Sequence, residues 1–151
     1  MRQRVLLADA DVVVADQFRD YFSAAGYSVE TASDGLDCLS KLRRIVPGLL
    51  VLDRDLAWGG SDGVLACLRE ERDLPRVPVV MIAAALPIGA LSQLLCPLVV
   101  GCFQKPFRMA ALRDCLDSAI VCAGRATGGN DLNHLTSPHA ALGNKQQRRP
   151  M

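Results

Sequence analysis

Leu49-Leu50-Val51-Leu52-Asp53 decides the fold: four apolar residues in a row, closed by an acid. A strand wet on one face alternates apolar and polar residues. A continuous apolar run of this length belongs to a strand covered on both faces, as in a parallel sheet. Parallel strands are joined by crossovers long enough to hold a helix, and the sequence supplies such segments on both sides. Upstream, Arg4–Asp9 reads as a strand entering an acidic turn. Val12–Ala25 has helical spacing, with Val14, Phe18 and Phe22 one turn apart and Gly26 as the stop. Tyr27–Thr31 is a short strand. Asp34-Gly35 opens a helix with Leu36, Leu39 and Leu42 or Arg43 following, ended by Pro47-Gly48.

Downstream, Gly59-Gly60 predicts a flexible loop, and Ser61 or Asp62 caps a helix through about Glu71. Val79–Ala83 is a strand, Ile88–Cys96 a short helix and Leu98–Phe103 a strand. Arg108 to about Cys122 is a helix whose Met109, Leu112, Leu116 and Ile120 form one stripe. Five βα units result, and with them an α/β fold: a doubly wound, five-stranded parallel sheet in a single domain. The ordered body is expected over residues 1–123. From Gly124 the chain turns to Gly, Asn, Ser, Pro, Gln and Arg without apolar period, which predicts a disordered, polar, basic tail over 124–151.

Charge and cysteine usage exclude more than they assign. The net charge of +1 gives no general attraction to nucleic acid. Four of the basic residues (Arg125, Lys145, Arg148, Arg149) fall in the tail against Asp131 alone, and without aromatics to stack they read as a solvated end. Six cysteines (38, 67, 96, 102, 115, 122) show no C-x-x-C and no zinc spacing, so they read as small buried hydrophobes in a reducing, cytoplasmic compartment. No signal peptide is visible ahead of the first strand. Val77–Phe103 carries no charge, but Pro78, Pro87, Pro97 and Gly89 cut it into pieces too short to span a membrane.

In a doubly wound sheet, ligands sit beyond the carboxyl ends of the strands. The first strand ends at Asp9, with Asp11 two residues on; the third ends at Asp53, with Asp55 two residues on; Lys105-Pro106 follows the fifth. Taken singly, each acid is better explained by a helix cap or a solvated loop. Together they place several carboxylates and one ammonium in a single crevice. Carboxylates at such range raise one another's pKa unless a cation intervenes. Mg²⁺ suits them, since it needs few protein carboxylates and keeps several waters. A carboxylate there can act as a nucleophile toward a phosphoryl group, with Lys105 neutralising its oxygens.

Val5-Leu6-Leu7-Ala8-Asp9, Gly26-Tyr27-Ser28-Val29, Thr31-Ala32-Ser33-Asp34-Gly35, Leu50-Val51-Leu52-Asp53, Asp62-Gly63, Pro78-Val79-Val80-Met81-Ile82 and Lys105-Pro106-Phe107 resemble the response-regulator receiver family, in its order and approximate spacing over residues 4–122. The resemblance implies a flavodoxin-like receiver fold in two-component signalling. It implies that Asp53 accepts a phosphoryl group from a histidine kinase or phosphotransfer protein and that Lys105 contacts the phosphoryl oxygens. Asp9, Asp53 and the backbone carbonyl of Asp55 would hold Mg²⁺.

Three departures accompany it. Ala10 stands where the family has a second acid that touches the metal; Asp11 either substitutes or turns away with the chain. Ala83 replaces a Thr or Ser hydroxyl at the end of the fourth strand. Cys102 replaces the aromatic that changes rotamer, and Phe103 has the opposite parity. Two readings follow: a phosphorylated receiver signalling through protein contacts, or a pseudo-receiver that docks without phosphorylation. A partner or a second copy would meet the apolar helix 88–96, through Leu91, Leu94 and Leu95, and the face over 98–120. No DNA-binding segment follows, so direct nucleic-acid binding is not expected. Neither is an enzyme or nucleotide binder: no G-x-G-x-x-G or P-loop is present, and His134 and His139 lie in the tail.

Overall fold

The run Leu49–Asp53 becomes the central strand of a five-stranded sheet, and all five of its residues are buried. A computed structural model describes residues 2–57, 60–85 and 98–128, with side chains through 124. The elements are β1 (Arg4–Ala8), α1 (Val12–Ala24), β2 (Ser28–Ala32), α2 (Gly35–Ile45), β3 (Leu49–Asp53), α3 (Gly60–Glu70), β4 (Val79–Ala83), β5 (Val99–Gln104) and α4 (Met109–Gly128). The strand order is β2-β1-β3-β4-β5, with every neighbouring pair parallel. This is the doubly wound α/β sheet that the apolar runs predict.

Alternate residues of the strands feed two cores. Leu6, Leu50, Leu52 and Met81 pack on Cys38 and Leu42 of α2 and on Val64 and Leu68 of α3. Val5, Leu7, Val51 and Ile82 pack on Phe18 and Phe22 of α1 and on Leu112 and Leu116 of α4. Phe18 and Phe22 stack at 4.3 Å between ring centres. Each such side chain, removed from water, contributes about 1.5–3 kcal/mol. Burying both faces of the sheet leaves its strand ends as the place for polar groups.

The differences from expectation have local causes. In α2 the buried stripe is Gly35, Cys38 and Leu42, so Leu36 faces out at 60% exposure. The predicted Gly59-Gly60 loop ends earlier, because Gly60 is already the first residue of α3. Gly60 has φ +62°, a left-handed conformation that a side chain resists. Ser61 and Asp62 therefore lie inside the first turn instead of capping it. In α4 the expected stripe holds, but the helix continues past Cys122 to Gly128, carried by the helix-forming Ala123, Arg125 and Ala126. The helix expected over Ile88–Cys96 and the tail beyond 128 lie outside the described residues.

β5 carries a bulge: Val79 pairs with Val99 and Val80 with Gly101, leaving Val100 unmatched and 50% exposed. A Cβ on Gly101 would stand 2.7 Å from the Cys115 sulfur, so glycine lets α4 lie close on this edge strand. Among the described residues, no helix is long and apolar enough to cross a membrane.

Candidate functional site

Parallel pairing brings the carboxyl ends of the strands to one edge. Asp9 extends β1 by one residue, its N–H donating to the Ala32 carbonyl at 3.0 Å. Asp53 is the last residue of β3, paired with Ile82. Lys105 follows β5 directly, its N–H donating to the Ala83 carbonyl at 2.8 Å. Its peptide bond to Pro106 is cis. β4 lies between β3 and β5, and the lysine stem reaches across its end, where Ala83 presents only a methyl group.

The ammonium then joins the two acids. Lys105 Nζ is 2.8 Å from Asp9 Oδ2 and 3.3 Å from Asp53 Oδ2. The other oxygen of each acid is held by its own turn: Asp9 Oδ1 accepts from the Asp11 N–H at 2.8 Å, and Asp53 Oδ1 from the Asp55 N–H at 3.2 Å. Such turns are a local habit of aspartate. Asp9 and Asp53 are only 4% and 7% exposed, so neither is a solvated loop residue. Each carboxylate thus has one oxygen fixed by backbone and one on the shared cation.

Burial dominates the electrostatics of Asp53 and holds its pKa above the ordinary carboxylate range; Asp9 pushes the same way, against the Asp55 N–H and Lys105. Lys105 lies nearer Asp9, so Asp53 receives the smaller share of the charge. For Lys105, burial favours the neutral amine, but the Asp9 and Asp53 carboxylates outweigh it and the net shift is upward. The ammonium is therefore fully charged at neutral pH.

The remaining predicted residues stand apart from this triad. The Asp11 carboxylate turns with the chain and caps α1, accepting from the N–H groups of Val13 at 2.9 Å and Val14 at 3.3 Å. Of the two roles open to Asp11 in the sequence, the geometry therefore favours the cap. Ala10 is exposed. Among the described residues, no group of three His, Cys, Asp or Glu side chains could hold a metal. The donor set that remains, two carboxylates and nearby backbone carbonyls, is all hard oxygen, which fits an ion such as Mg²⁺ that fills most of its shell with water. The backbone N–H groups of Asp11 and Asp55, which hold the two carboxylates, are parts of the site that sequence reasoning missed. Their signal was present, an aspartate followed by a turn at each strand end. Beside Lys105, a cleft of about 310 Å³ opens between α1 and the start of α4, lined by Val14, Gln17, Ala84, Pro106, Phe107 and Met109.

The family model described as the response regulator receiver domain matches residues 5–117. The chain belongs to this family. The DNA-binding response regulator MtrA of Mycobacterium tuberculosis H37Rv is 33% identical over 84 residues, which are 56% of this chain and 36% of that protein. The chain spans about half or less of the length of the curated relatives it matches. Among solved structures, the signal receiver domain of a LuxO repressor protein from Vibrio parahaemolyticus superposes with a TM-score of 0.76 at 21% identity, covering 84% of this chain and 96% of that one. The receiver domain of the sensor histidine kinase PA1611 of Pseudomonas aeruginosa superposes with a TM-score of 0.71, also at 21% identity, covering 80% of this chain and 98% of that one. That receiver carries a magnesium ion coordinated in its active-site cleft.

Proposed function

We propose that Asp53 is a phosphoacceptor, taking a phosphoryl group from a histidine kinase or phosphotransfer protein and signalling through protein contacts. The observation that carries this reading is the Lys105 ammonium shared between Asp9 and Asp53 at the end of the sheet. In the step, a carboxylate oxygen of Asp53 attacks phosphorus. The phosphorus–nitrogen bond of the donor phosphohistidine breaks, and its electron pair stays on the imidazole. Such transfers depend on positioning and charge neutralisation more than on covalent help from the protein. The Asp55 N–H orients the carboxylate, and Lys105 follows the charge onto the phosphoryl oxygens. Mg²⁺, held by Asp9, Asp53 and the Asp55 backbone carbonyl, would supply further charge neutralisation when bound. Val100, half exposed on the edge strand β5, supports contact with a partner or a second copy through the 98–120 face.

The alternative reading, a pseudo-receiver that docks without phosphorylation, is favoured by Ala83. This residue is buried at the end of β4, its carbonyl is committed to the Lys105 N–H, and it offers no hydroxyl to a phosphoryl group. The two readings separate on intact mass. With Mg²⁺ and a small phosphodonor, a working receiver gains one phosphoryl group and its Asp53→Ala variant gains none. A folded chain that gains nothing is a pseudo-receiver.

A further inference from the structure

Ala83 offers no hydroxyl and Cys102 no ring, and one long cationic side chain reaches the chain that leaves β4. Arg54 follows Asp53 directly. Its N–H donates to the Ile82 carbonyl at 2.8 Å, which fixes the start of its side chain beside the last residues of β4. Its Nη1 donates to the Ala85 carbonyl at 3.4 Å, two residues beyond Ala83. Its charge also reaches β5: burial pushes the Cys102 thiol up, and Arg54 is the charge that opposes this. Among the described residues Arg54 forms no ion pair. A guanidinium on a single long contact to a neutral carbonyl is underused, given the fork of donors it carries.

We propose that Arg54 is the positioning residue that couples the state of Asp53 to the chain leaving β4, in place of the absent hydroxyl and aromatic. The inference rests on the reading of Asp53 as phosphoacceptor. In the resting protein Arg54 tethers the Ala85 carbonyl. A phosphoryl group on the adjacent residue offers a charge-assisted contact, roughly twice as strong as a neutral one. Arg54 then leaves Ala85 for the phosphoryl oxygens and frees Ala84 and Ala85. The same contact holds the phosphoryl group, so it slows its loss.

The test uses the full chain with Mg²⁺ and a small phosphodonor, comparing wild type, Arg54→Gln and Arg54→Lys. Intact mass reports phosphorylation and its decay, and amide resonances of Ala84 and Ala85 report the tether. All three chains gain one phosphoryl group. Resting Arg54→Gln already shows the Ala84 and Ala85 resonances of phosphorylated wild type, they do not move on phosphorylation, and its phosphoryl group is lost about tenfold faster. Arg54→Lys, with charge but no fork, lies between. A phosphorylated Arg54→Gln whose resonances shift as in wild type, with an unchanged lifetime, overturns the coupling alone. If no chain gains a phosphoryl group, the reading of Asp53 fails and the coupling falls with it.

Discussion

Replacing Lys105 by Met keeps the length of the side chain and removes the charge that two buried acids share. Removing one partner of a buried ion pair costs about 3–5 kcal/mol, because the other charge is left without compensation. The Lys105 side chain is 23% exposed, so water can partly take its place, and the cost falls to about 2 kcal/mol. At about 3–4 °C per kcal/mol for a domain of this size, the midpoint of thermal unfolding drops by about 7 °C near neutral pH. The pH dependence separates this cause from lost packing. Burial already raises the pKa of Asp53, and Asp9 adds to it. Without the ammonium, which lowers the pKa of Asp53, that acid is held further toward the protonated form. A carboxylate whose folded-state pKa exceeds its unfolded value destabilises the fold as pH rises through that window. The deficit of Lys105→Met is therefore present in full near pH 7.5 and shrinks toward about pH 5. Thermal melts of wild type and variant by circular dichroism at the two pH values measure it. An equal deficit at both, or none at either, refutes the view that Lys105 neutralises this pair.

Asp53→Asn removes a buried carboxylate of raised pKa while Lys105 keeps Asp9, so the variant melts a few degrees above wild type at neutral pH. The difference disappears as pH falls into the ordinary carboxylate range, which melts across pH check. Ala10→Asp adds a hard oxygen donor beside Asp9 and raises Mg²⁺ affinity about tenfold, read by titration calorimetry. Phe22→Ala removes the ring that stacks on Phe18 and meets Tyr27 edge-on, and costs about 4 kcal/mol in denaturant unfolding. Gly60→Ala forces a side chain into φ +62° at the start of α3 and costs about 1 kcal/mol in the same assay.

The legible part of the fold is the part set by burial. Leu49–Asp53 and Val79–Ala83 are strands with the predicted bounds, because a run buried on both faces has no polar residue to blur its limits. Helix ends were less legible, since they depend on backbone conformations that composition does not show, such as the positive φ of Gly60. The same holds at the site. That Asp9, Asp53 and Lys105 converge follows from strand order and from the rule that ligands gather at strand ends. Which way Asp11 turns does not follow. Its parity matched that of Asp9 only while the chain stayed extended, and the first turn of α1 claimed its carboxylate instead. The place of Arg54 was not legible because its contact, the Ala85 carbonyl, comes from another segment of the chain.

Reductive trapping tests the central claim at the atom concerned. Borohydride converts an aspartyl phosphate, and no free aspartate, to homoserine. After incubation with Mg²⁺ and a small phosphodonor, peptide mapping should find homoserine at position 53 and nowhere else. Homoserine at Asp9 or Asp55 instead, or at no position in a folded chain, would contradict the assignment of Asp53 as the phosphoacceptor.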